Sequence, residues 1–148
     1  KSNINLSECL EVIIGRFHKR FTSDFITQSI QADIFFEADS LIIESIINNL
    51  IENSIKYSEE QPNIEVYLKK NENGVLIGVK DQGNGIDLDT QKNMFKKFYR
   101  SGNEETRSQK GSGLGLFIVS ELANIHNAKI SYSENKPTGS IFEIQLLK

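Results

Sequence analysis

Two asparagines and a lysine recur at helical spacing in the segment IINNLIENSIKYS. Asn49, Asn53 and Lys56 stand at positions i, i+4 and i+7, so their side chains would lie one above another on a helix. Asparagine favours helices only weakly, and this pair gains nothing for helix stability. An amide oxygen can ligate Mg²⁺ together with phosphate oxygens, and a lysine one turn further on would face the same phosphates. The spacing allows a magnesium–phosphate site, with a solvated polar helix face as the alternative.

A second group of polar residues follows a predicted strand in VKDQGNGID. Asp81 ends that strand and is followed by Gly83 and Gly85, a composition that most often marks only a turn. Further along, FKKFYR places Arg100 before a segment, 101–113, that contains no apolar residue. Such a long polar loop is typically functional or disordered. Taken alone, these features need no more than a turn and a solvated arginine.

Three glycines at alternate positions precede an apolar run in GSGLGLFIVSELANIH. Gly111, Gly113 and Gly115 remove side chains where a helix begins, and the unpaired N–H groups of a helix N-terminus suit phosphate. The spacing matches neither the phosphate-binding loop G-x-x-x-x-G-K-S/T nor the dinucleotide fingerprint G-x-G-x-x-G. The glycines therefore either let the chain turn or let its backbone approach a ligand.

Length and composition limit the class of protein. A chain of 148 residues with 25% charged and 38% hydrophobic residues corresponds to one soluble globular domain, 1–148. The net charge of −3 argues against a nucleic-acid surface, and no apolar run approaches the ~20 residues that cross a bilayer. Because the chain begins with Lys1, we expect a piece of a larger protein. Cys9 lies in an apolar stretch, which predicts a buried thiol and a reducing compartment.

The first half of the chain is predicted to contain two helices and two strands. Asn5 followed by Glu8 resembles a capping box for a first amphipathic helix. DFITQSI and DIFFEAD are short and rich in β-forming residues, which predicts a hairpin. Asp39 or Ser40 then caps a second helix that runs to about Tyr57.

The second half is predicted to supply most of the sheet. IEVYL and VLIGV alternate apolar with polar residues and flank NENG, a strong hairpin signal. A short helix is expected around TQKNMFKKFY and another from Leu114 to about His126. KISYS and SIFEIQLL are the closing strands. We predict one α/β domain whose antiparallel-rich sheet is covered on one face by helices.

The four motifs together, in this order along the chain, identify a protein family far more specifically than any one motif does alone. The sequence resembles the ATP-binding catalytic domain of bacterial sensor histidine kinases, within the wider GHKL ATPase family. IINNLIENSIKYS looks like the N box of that family, DQGNGID and GSGLGL its two glycine boxes, and FKKFYR its F box. The resemblance covers nearly the whole chain. It implies the Bergerat ATP-binding fold, an α/β two-layer sandwich of a mixed five-stranded sheet with three main helices on one face.

The resemblance also implies ATP and Mg²⁺ as ligands and assigns roles to matching residues. Asn53 would ligate Mg²⁺, Asn49 would lie beside the phosphates, Lys56 would reach a phosphate, and Arg100 would approach the terminal phosphate. Asp81 would accept a hydrogen bond from the adenine amino group, and residues 101–112 would form an ATP lid. The other implied nucleotide-binding residues are Tyr57, Gly83, Gly85, Ile86, Phe98, Lys110, Gly111, Ser112, Gly113, Leu114, Gly115 and Leu116.

One position separates a histidine kinase from the other branches of the family. The hydrolysing members and the anti-sigma serine kinases carry glutamate four residues before the magnesium asparagine, and this chain has Asn49 there. An amide cannot accept a proton from water or serine. Glu52 adjoins Asn53 in sequence, but neighbouring helix positions face different ways. A histidine kinase is favoured over an ATP-hydrolysing protein or a serine kinase, and over a non-catalytic interaction module.

The resemblance further implies what lies outside the ATP site. The phosphoacceptor histidine of the family lies on a separate, N-terminal dimerisation domain, so His18 and His126 are expected to be surface or packed histidines. Expected partners are that domain and a response regulator, with no nucleic acid and no direct membrane contact. The isolated domain is expected to be a monomer in the cytoplasm and the parent a membrane sensor. HNA at 126–128, where many members have His-Gly-Gly, and Lys97, where some have proline, touch no implied ligand contact.

Overall fold

The computed structural model describes residues 1–21, 25–58, 62–96 and 115–148. These parts of the chain contain seven strands and four helices. The strands are β1 (Ser2–Asn5), β2 (Ile26–Ile30), β3 (Phe35–Ala38), β4 (Ile64–Asn71), β5 (Gly74–Asp81), β6 (Ala128–Glu134) and β7 (Ser140–Leu147). The helices are α1 (Leu6–Arg20), α2 (Ser40–Tyr57), α3 (Leu88–Asn93) and α4 (Gly115–Ile125).

Five strands form the main sheet in the order β2-β4-β5-β7-β6. β2 runs parallel to β4, and every other neighbouring pair in this sheet is antiparallel. β4 and β5 form the hairpin that NENG predicts, with Asn71 opposite Gly74. The predicted mixed, antiparallel-rich sheet is therefore confirmed, and β5, which ends at Asp81, lies in its centre.

The predicted hairpin between DFITQSI and DIFFEAD is wrong, although both segments are strands. β2 pairs with β4 instead, and β3 pairs antiparallel with β1, a strand that the sequence analysis did not predict. The buried hydroxyl of Ser7 on α1 bonds to the connection between the two segments. Its Oγ donates to the Gln31 carbonyl at 2.7 Å and accepts from the Ile34 N–H at 3.0 Å. These bonds tie the connection between β2 and β3 to α1.

The helices α1 and α2 begin at the predicted caps and bury the predicted faces. Asn5 Oδ1 accepts from the N–H of Glu8 at 3.2 Å, and Asp39 Oδ1 accepts from the N–H of Leu41 at 3.0 Å. The short helix α3 begins earlier than TQKNMFKKFY suggests, because Asp87 caps it. Buried apolar residues of α1 and α2 are Leu6, Leu10, Ile13, Ile14, Phe17, Ile43, Ile46, Ile47, Leu50 and Ile51.

Cys9 packs against the core from a half-buried position rather than being fully buried. Burial raises the pKa of its thiol, and the neighbouring carboxylate of Glu44 raises that pKa further, while Arg16 acts in the opposite direction. The thiolate is therefore disfavoured, which fits the expected structural role.

His126 is a packed histidine, as expected. Only 4% of its surface is exposed, and its Nε2 accepts a hydrogen bond at 3.1 Å from the backbone N–H of Asp39. This bond joins the end of α4 to the capping residue of α2. The next residue, Asn127, has a φ of 56°, a left-handed conformation that asparagine tolerates and glycine adopts freely. The HNA departure from His-Gly-Gly is thus compatible with the same turn.

Replacing His126 with alanine is expected to lower the free energy of unfolding by about 1–3 kcal/mol, because the N–H of Asp39 loses its acceptor. Urea unfolding of the two proteins measures this difference. Asn127→Gly is the matched control next door and is expected to change stability by less than about 0.5 kcal/mol. Equal effects of the two substitutions would contradict a role for the Asp39–His126 bond.

Candidate functional site

Asp81 ends the central strand β5 with its carboxylate turned into the molecule. The residue is only 1% exposed. Its Oδ1 accepts two backbone hydrogen bonds, from the N–H of Gly83 at 2.9 Å and from the N–H of Ser140 at 3.1 Å. Its Oδ2 is buried and has no hydrogen-bond partner among the described residues. One half of the carboxylate is therefore fixed, and the other half remains an acceptor without a donor.

The electrostatics of Asp81 are set by this burial. Burial raises the pKa of the carboxyl group above its ordinary value. The N–H groups of Gly83 and Ser140 act in the opposite direction, followed by the Ser54 hydroxyl, which lies near the carboxylate but outside hydrogen-bonding geometry. A buried acceptor without a partner destabilises the unliganded fold. Such a group suits a ligand that brings a hydrogen-bond donor to it.

The face of α2 that leads towards Asp81 carries further buried polar atoms. Asn53 Nδ2, Ser54 Oγ and Ser58 Oγ, like Asp81 Oδ2, have no hydrogen-bond partner within the described ranges. The sequence analysis missed Ser54 and Ser58 as site residues, since a small hydroxyl side chain on an apolar face resembles a tolerated core residue. Ser54 and Ser58 stand four residues apart, the spacing of a single helix face, and that was the available signal.

Asn49 lies where α2 meets the start of α4. Its Nδ2 donates to the Ser45 carbonyl at 2.7 Å, and a Cβ built on Gly115 would lie 3.4 Å from its Oδ1. The structure thus brings Asn49 beside the first residue of α4, the helix end at which the sequence predicts phosphate. Lys56 is exposed near the other end of α2, and Tyr57 packs partly buried against the core.

The local structure explains why glycine stands at both positions after Asp81. A Cβ on Gly83 would lie 2.5 Å from the Tyr57 carbonyl oxygen, so only glycine lets this loop lie against the end of α2. Gly85 has a φ of 77°. These constraints are compatible with the predicted role of leaving room for a base, which stays a prediction. Ile86 is buried next to them.

The turn between β6 and β7 supports this loop, and the sequence analysis missed it. Asn135 Nδ2 donates to the Asp81 carbonyl at 2.7 Å, and Thr138 Oγ1 donates to the Gly83 carbonyl at 2.8 Å. The residues NKPTG have the composition of a turn, but no feature of their types shows which backbone groups the turn contacts.

Glu52 faces away from the candidate site. Its Oε1 lies 2.9 Å from Arg20 Nη1 on α1, and both side chains are largely exposed. The orientation agrees with the expectation that Glu52 does not share a helix face with Asn53. A surface ion pair of this kind contributes ~0–1 kcal/mol to stability.

Several predicted site residues lie outside the described residues: Phe98, Arg100, Lys110, Gly111, Ser112, Gly113 and Leu114, together with the predicted lid at 101–112. Leu116 is described, and its side chain is buried in the core. Its predicted contribution to a ligand would therefore come from its backbone.

Within the described ranges, no group of three or more His, Cys, Asp or Glu side chains could hold a metal ion. An asparagine that shares Mg²⁺ with phosphate oxygens and water fits this composition. No helix in the same ranges has the length and apolar character needed to span a membrane.

A family model confirms the predicted resemblance. The model described as histidine kinase-, DNA gyrase B-, and HSP90-like ATPase matches residues 38–148. The chain is 29% identical over 94% of its length to sensor protein CiaH of Streptococcus pneumoniae. It is 30% identical over 98% of its length to histidine protein kinase SaeS of Staphylococcus aureus. The chain spans 33% and 43% of these two relatives, respectively.

Solved structures with the same fold include two histidine kinases. The mycobacterial sensor histidine kinase MprB superposes with a TM-score of 0.81 at 23% identity, covering 99% of this chain and 96% of that one. A nucleotide-free form of the catalytic domain of histidine kinase ThkA gives a TM-score of 0.83 at 24% identity, covering 99% and 97%. At these identities the likeness shows the fold, and it confirms the predicted two-layer sandwich.

Proposed function

Because the chain belongs to the family of histidine kinase-, DNA gyrase B-, and HSP90-like ATPases, we propose that it binds ATP with Mg²⁺ and donates the γ-phosphoryl group to a histidine on a separate dimerisation domain. The observation that carries the proposal is the buried Oδ2 of Asp81, an acceptor without a partner among the described residues. The 6-amino group of adenine is a donor that would satisfy it. In the unliganded chain the unpartnered acceptor lowers the stability of the fold, and a ligand that donates to it would remove this destabilisation.

The base end of the proposed pocket is formed where β5 meets the end of α2. Asp81 would accept from the adenine amino group while Gly83 and Ser140 hold its other oxygen. Ser54, fully buried beside this carboxylate, and Ser58 would offer hydroxyls to the same region. Their unpartnered hydroxyls support a polar ligand at this position and disfavour an apolar one.

The phosphate end of the proposed pocket lies where α2 meets α4. Asn53 would ligate Mg²⁺, Asn49 would lie beside the phosphates and Lys56 would supply positive charge to them. The closeness of Asn49 to Gly115 supports this arrangement, because it puts the amide next to the N-terminus of α4. When bound, Mg²⁺ neutralises phosphate charge. The predicted roles of Arg100, Lys110, Gly111, Gly113 and the other undescribed residues form part of this proposal.

The residues around Asn53 favour transfer to histidine over hydrolysis. Asn49 stands where a general base would be needed, and its amide cannot take a proton. The nearest acid in sequence, Glu52, is engaged by Arg20 on the other side of α2. Phosphoryl transfer needs mainly positioning and charge neutralisation from the ATP site, and this chain has groups for both. A hydrolysing enzyme or a serine kinase would lack its base here.

The proposed partners follow from the same reaction. The chain would act on a phosphoacceptor histidine of a dimerisation domain, which would pass the phosphoryl group to a response regulator. We further propose that this domain is a monomer on its own, acts in the cytoplasm and makes no direct contact with membrane or nucleic acid, while the whole protein is a membrane sensor.

Titration with a fluorescent ATP analogue tests the proposal directly. The expected result is saturable binding that weakens when Mg²⁺ is removed by a chelator. A chain that shows no saturable binding with Mg²⁺ present would instead be a non-catalytic interaction module, and the proposed function would be wrong.

The chain incubated alone with Mg·ATP is expected neither to incorporate labelled γ-phosphate nor to release inorganic phosphate above background. Both histidines are engaged: His126 Nε2 accepts from Asp39, and His18 Nε2 lies 3.0 Å from the Ile26 carbonyl oxygen. Gel autoradiography and a phosphate-release assay are the measurements. Label on this chain would contradict the assignment of the acceptor to another domain, and rapid phosphate release would favour the hydrolase alternative.

A further inference from the structure

The turn between β6 and β7 holds the Asp81 loop by its backbone. Asn135 and Thr138 donate to the carbonyl oxygens of Asp81 and Gly83, the residues on either side of Gln82. Gly139 lies so close that a Cβ there would overlap the Asp81 carbonyl oxygen. The loop that carries the candidate base acceptor is thus held by this turn and also lies against the end of α2.

The side chain of Asn135 is fixed in orientation as well as in position. Its Oδ1 accepts from the N–H of Lys136 at 2.8 Å, and its own N–H donates to the Gly139 carbonyl at 3.1 Å. Because the amide oxygen is already used, the amide NH₂ group is the part that faces Asp81. The asparagine is therefore a rigid connection between the turn and the loop.

This connection reaches both donors that orient the carboxylate. β7 pairs with β5 only as far as Lys80, which lies opposite Ile141, so Asp81 lies one residue beyond the ladder on that side. Its Oδ1 is held by the N–H groups of Gly83 and Ser140. Thr138 holds the Gly83 carbonyl, and Ser140 directly follows the turn. A shift of the turn would move both donors and rotate Oδ2.

We propose that Asn135 and Thr138 are positioning residues that fix the orientation of the Asp81 carboxylate. They thereby determine the selectivity of the site for a 6-aminopurine. The inference rests on the proposed function, in which Asp81 accepts from the adenine amino group. Asn49 and Gly115, at the proposed phosphate end, belong to α2 and α4, whereas the turn holds the loop after β5. Loss of the clamp therefore weakens recognition of the amino group and leaves triphosphate binding unchanged.

The test compares two nucleotides that differ only in the amino group, ATP and purine riboside triphosphate, each titrated with Mg²⁺ into the 148-residue chain. The wild-type chain is expected to prefer ATP by about tenfold, the value of one buried hydrogen bond. Asn135→Ala and Thr138→Val are each expected to reduce that preference to about twofold or less by weakening ATP alone. Thr138→Ser keeps the hydroxyl and is the matched control that retains the preference.

Each other outcome overturns the proposal in a recognisable way. If Asn135→Ala and Thr138→Val weaken both nucleotides equally, the turn acts on the whole pocket and is not a selectivity element. If the preference survives both substitutions, the clamp has no role. A wild-type chain that binds both nucleotides equally removes the Asp81 contact but leaves ATP binding intact. A wild-type chain that binds neither removes the proposed function itself, and with it the inference.

Two additions keep the test decisive. In an Asp81→Asn background, Asn135→Ala is expected to cause no further change in preference, and a further change would show that Asn135 does not act through Asp81. Urea unfolding checks that each variant is folded. Should Asn135→Ala not fold, the comparison of Thr138→Val with Thr138→Ser decides the proposal alone, because neither changes the size of the exposed side chain by more than one methyl group.

Discussion

Asp81→Asn is expected to weaken Mg·ATP binding by about 10- to 100-fold without lowering the free energy of unfolding of the unliganded chain. Oδ1 is held by the N–H groups of Gly83 and Ser140, and an asparagine oxygen would take over both bonds. The new NH₂ group would then occupy the place of Oδ2. A donor would face the adenine amino group, which is itself a donor, so the proposed contact would become repulsive.

The same exchange removes a charge that the unliganded fold accommodates poorly. Asp81 is 1% exposed, and its Oδ2 has no partner in the described part of the chain. The new NH₂ group can instead donate towards the Ser54 hydroxyl, which is also unpartnered there. The expected combination of lost affinity and retained stability distinguishes a ligand-binding carboxylate from one that only holds the fold together.

Isothermal titration of ATP and urea unfolding of the unliganded protein measure the two quantities. Asp33→Asn makes the same chemical change at an exposed position whose φ of 57° asparagine tolerates, and it is expected to alter neither quantity. If Asp81→Asn binds ATP as well as the wild-type chain, Asp81 does not belong to the base pocket. If it unfolds far more easily, the carboxylate is mainly structural.

The difference in stability between Asp81→Asn and wild type is expected to depend on pH. Burial raises the pKa of Asp81 in the folded state above the ordinary 3.8 of the unfolded state. The folded state therefore binds its proton more tightly, and the stability contributed by the protonated group is lost as the pH rises through the folded pKa. Urea unfolding measured from pH 3 upwards should show that the free energy of unfolding of Asp81→Asn, relative to wild type, increases with pH.

Local signals in the sequence were enough to predict most of the elements. The α2 helix shows why, because its cap at Asp39 and its buried face at Ile43, Ile46 and Leu50 involve residues within a few turns of one another. The β4–β5 hairpin is equally local, with its register set by the turn at Asn71 and Gly74. Such features depend on short-range contacts that neighbouring residue types reveal.

The pairing of β2 and β3 could not be obtained in this way. β2 lies beside β4 in parallel, with Ile26 opposite Ile64, and the chain between them crosses over through α2. A parallel pair needs such a crossover connection, whereas closeness in sequence favours a hairpin. The connection between the two strands is also tied to Ser7, a residue on α1 whose type gives no sign of its partners at 31 and 34.

The residues of the candidate site likewise fall into those that local sequence signals predict and those that depend on distant contacts. Asn49, Asn53 and Asp81 could be predicted because their residue types are unusual for their positions on a helix face and at a strand end. Ser54 was missed because a buried serine looks ordinary until its lack of a partner is seen. Asn135 was missed because it donates to a backbone carbonyl, and every residue of the chain carries an equivalent carbonyl.

Phe142→Ala is expected to have the largest effect on stability, a loss of about 3–5 kcal/mol in the free energy of unfolding. Phe142 lies on β7 and has no exposed surface. Its ring meets the edge of Tyr132 at 5.2 Å between centroids and that of Phe95 at 6.5 Å. The substitution would leave a cavity between the sheet and the segment after α3. Because small domains have a total stability of about 5–15 kcal/mol, about a fifth or more would be lost.

Two control substitutions distinguish the loss of stability caused by the cavity from the loss caused by removing any large apolar side chain. Phe35→Ala removes the same atoms from β3, where 52% of the side chain is exposed, and is expected to cost less than about 1 kcal/mol. Phe142→Leu keeps most of the volume but loses both ring contacts, so it should fall between the two. Because Phe95 shares this cavity, Phe95→Ala should cost less in the Phe142→Ala background than in wild type. Equal losses for Phe142→Ala and Phe35→Ala would mean that the ring cluster does not hold Phe95 against the sheet.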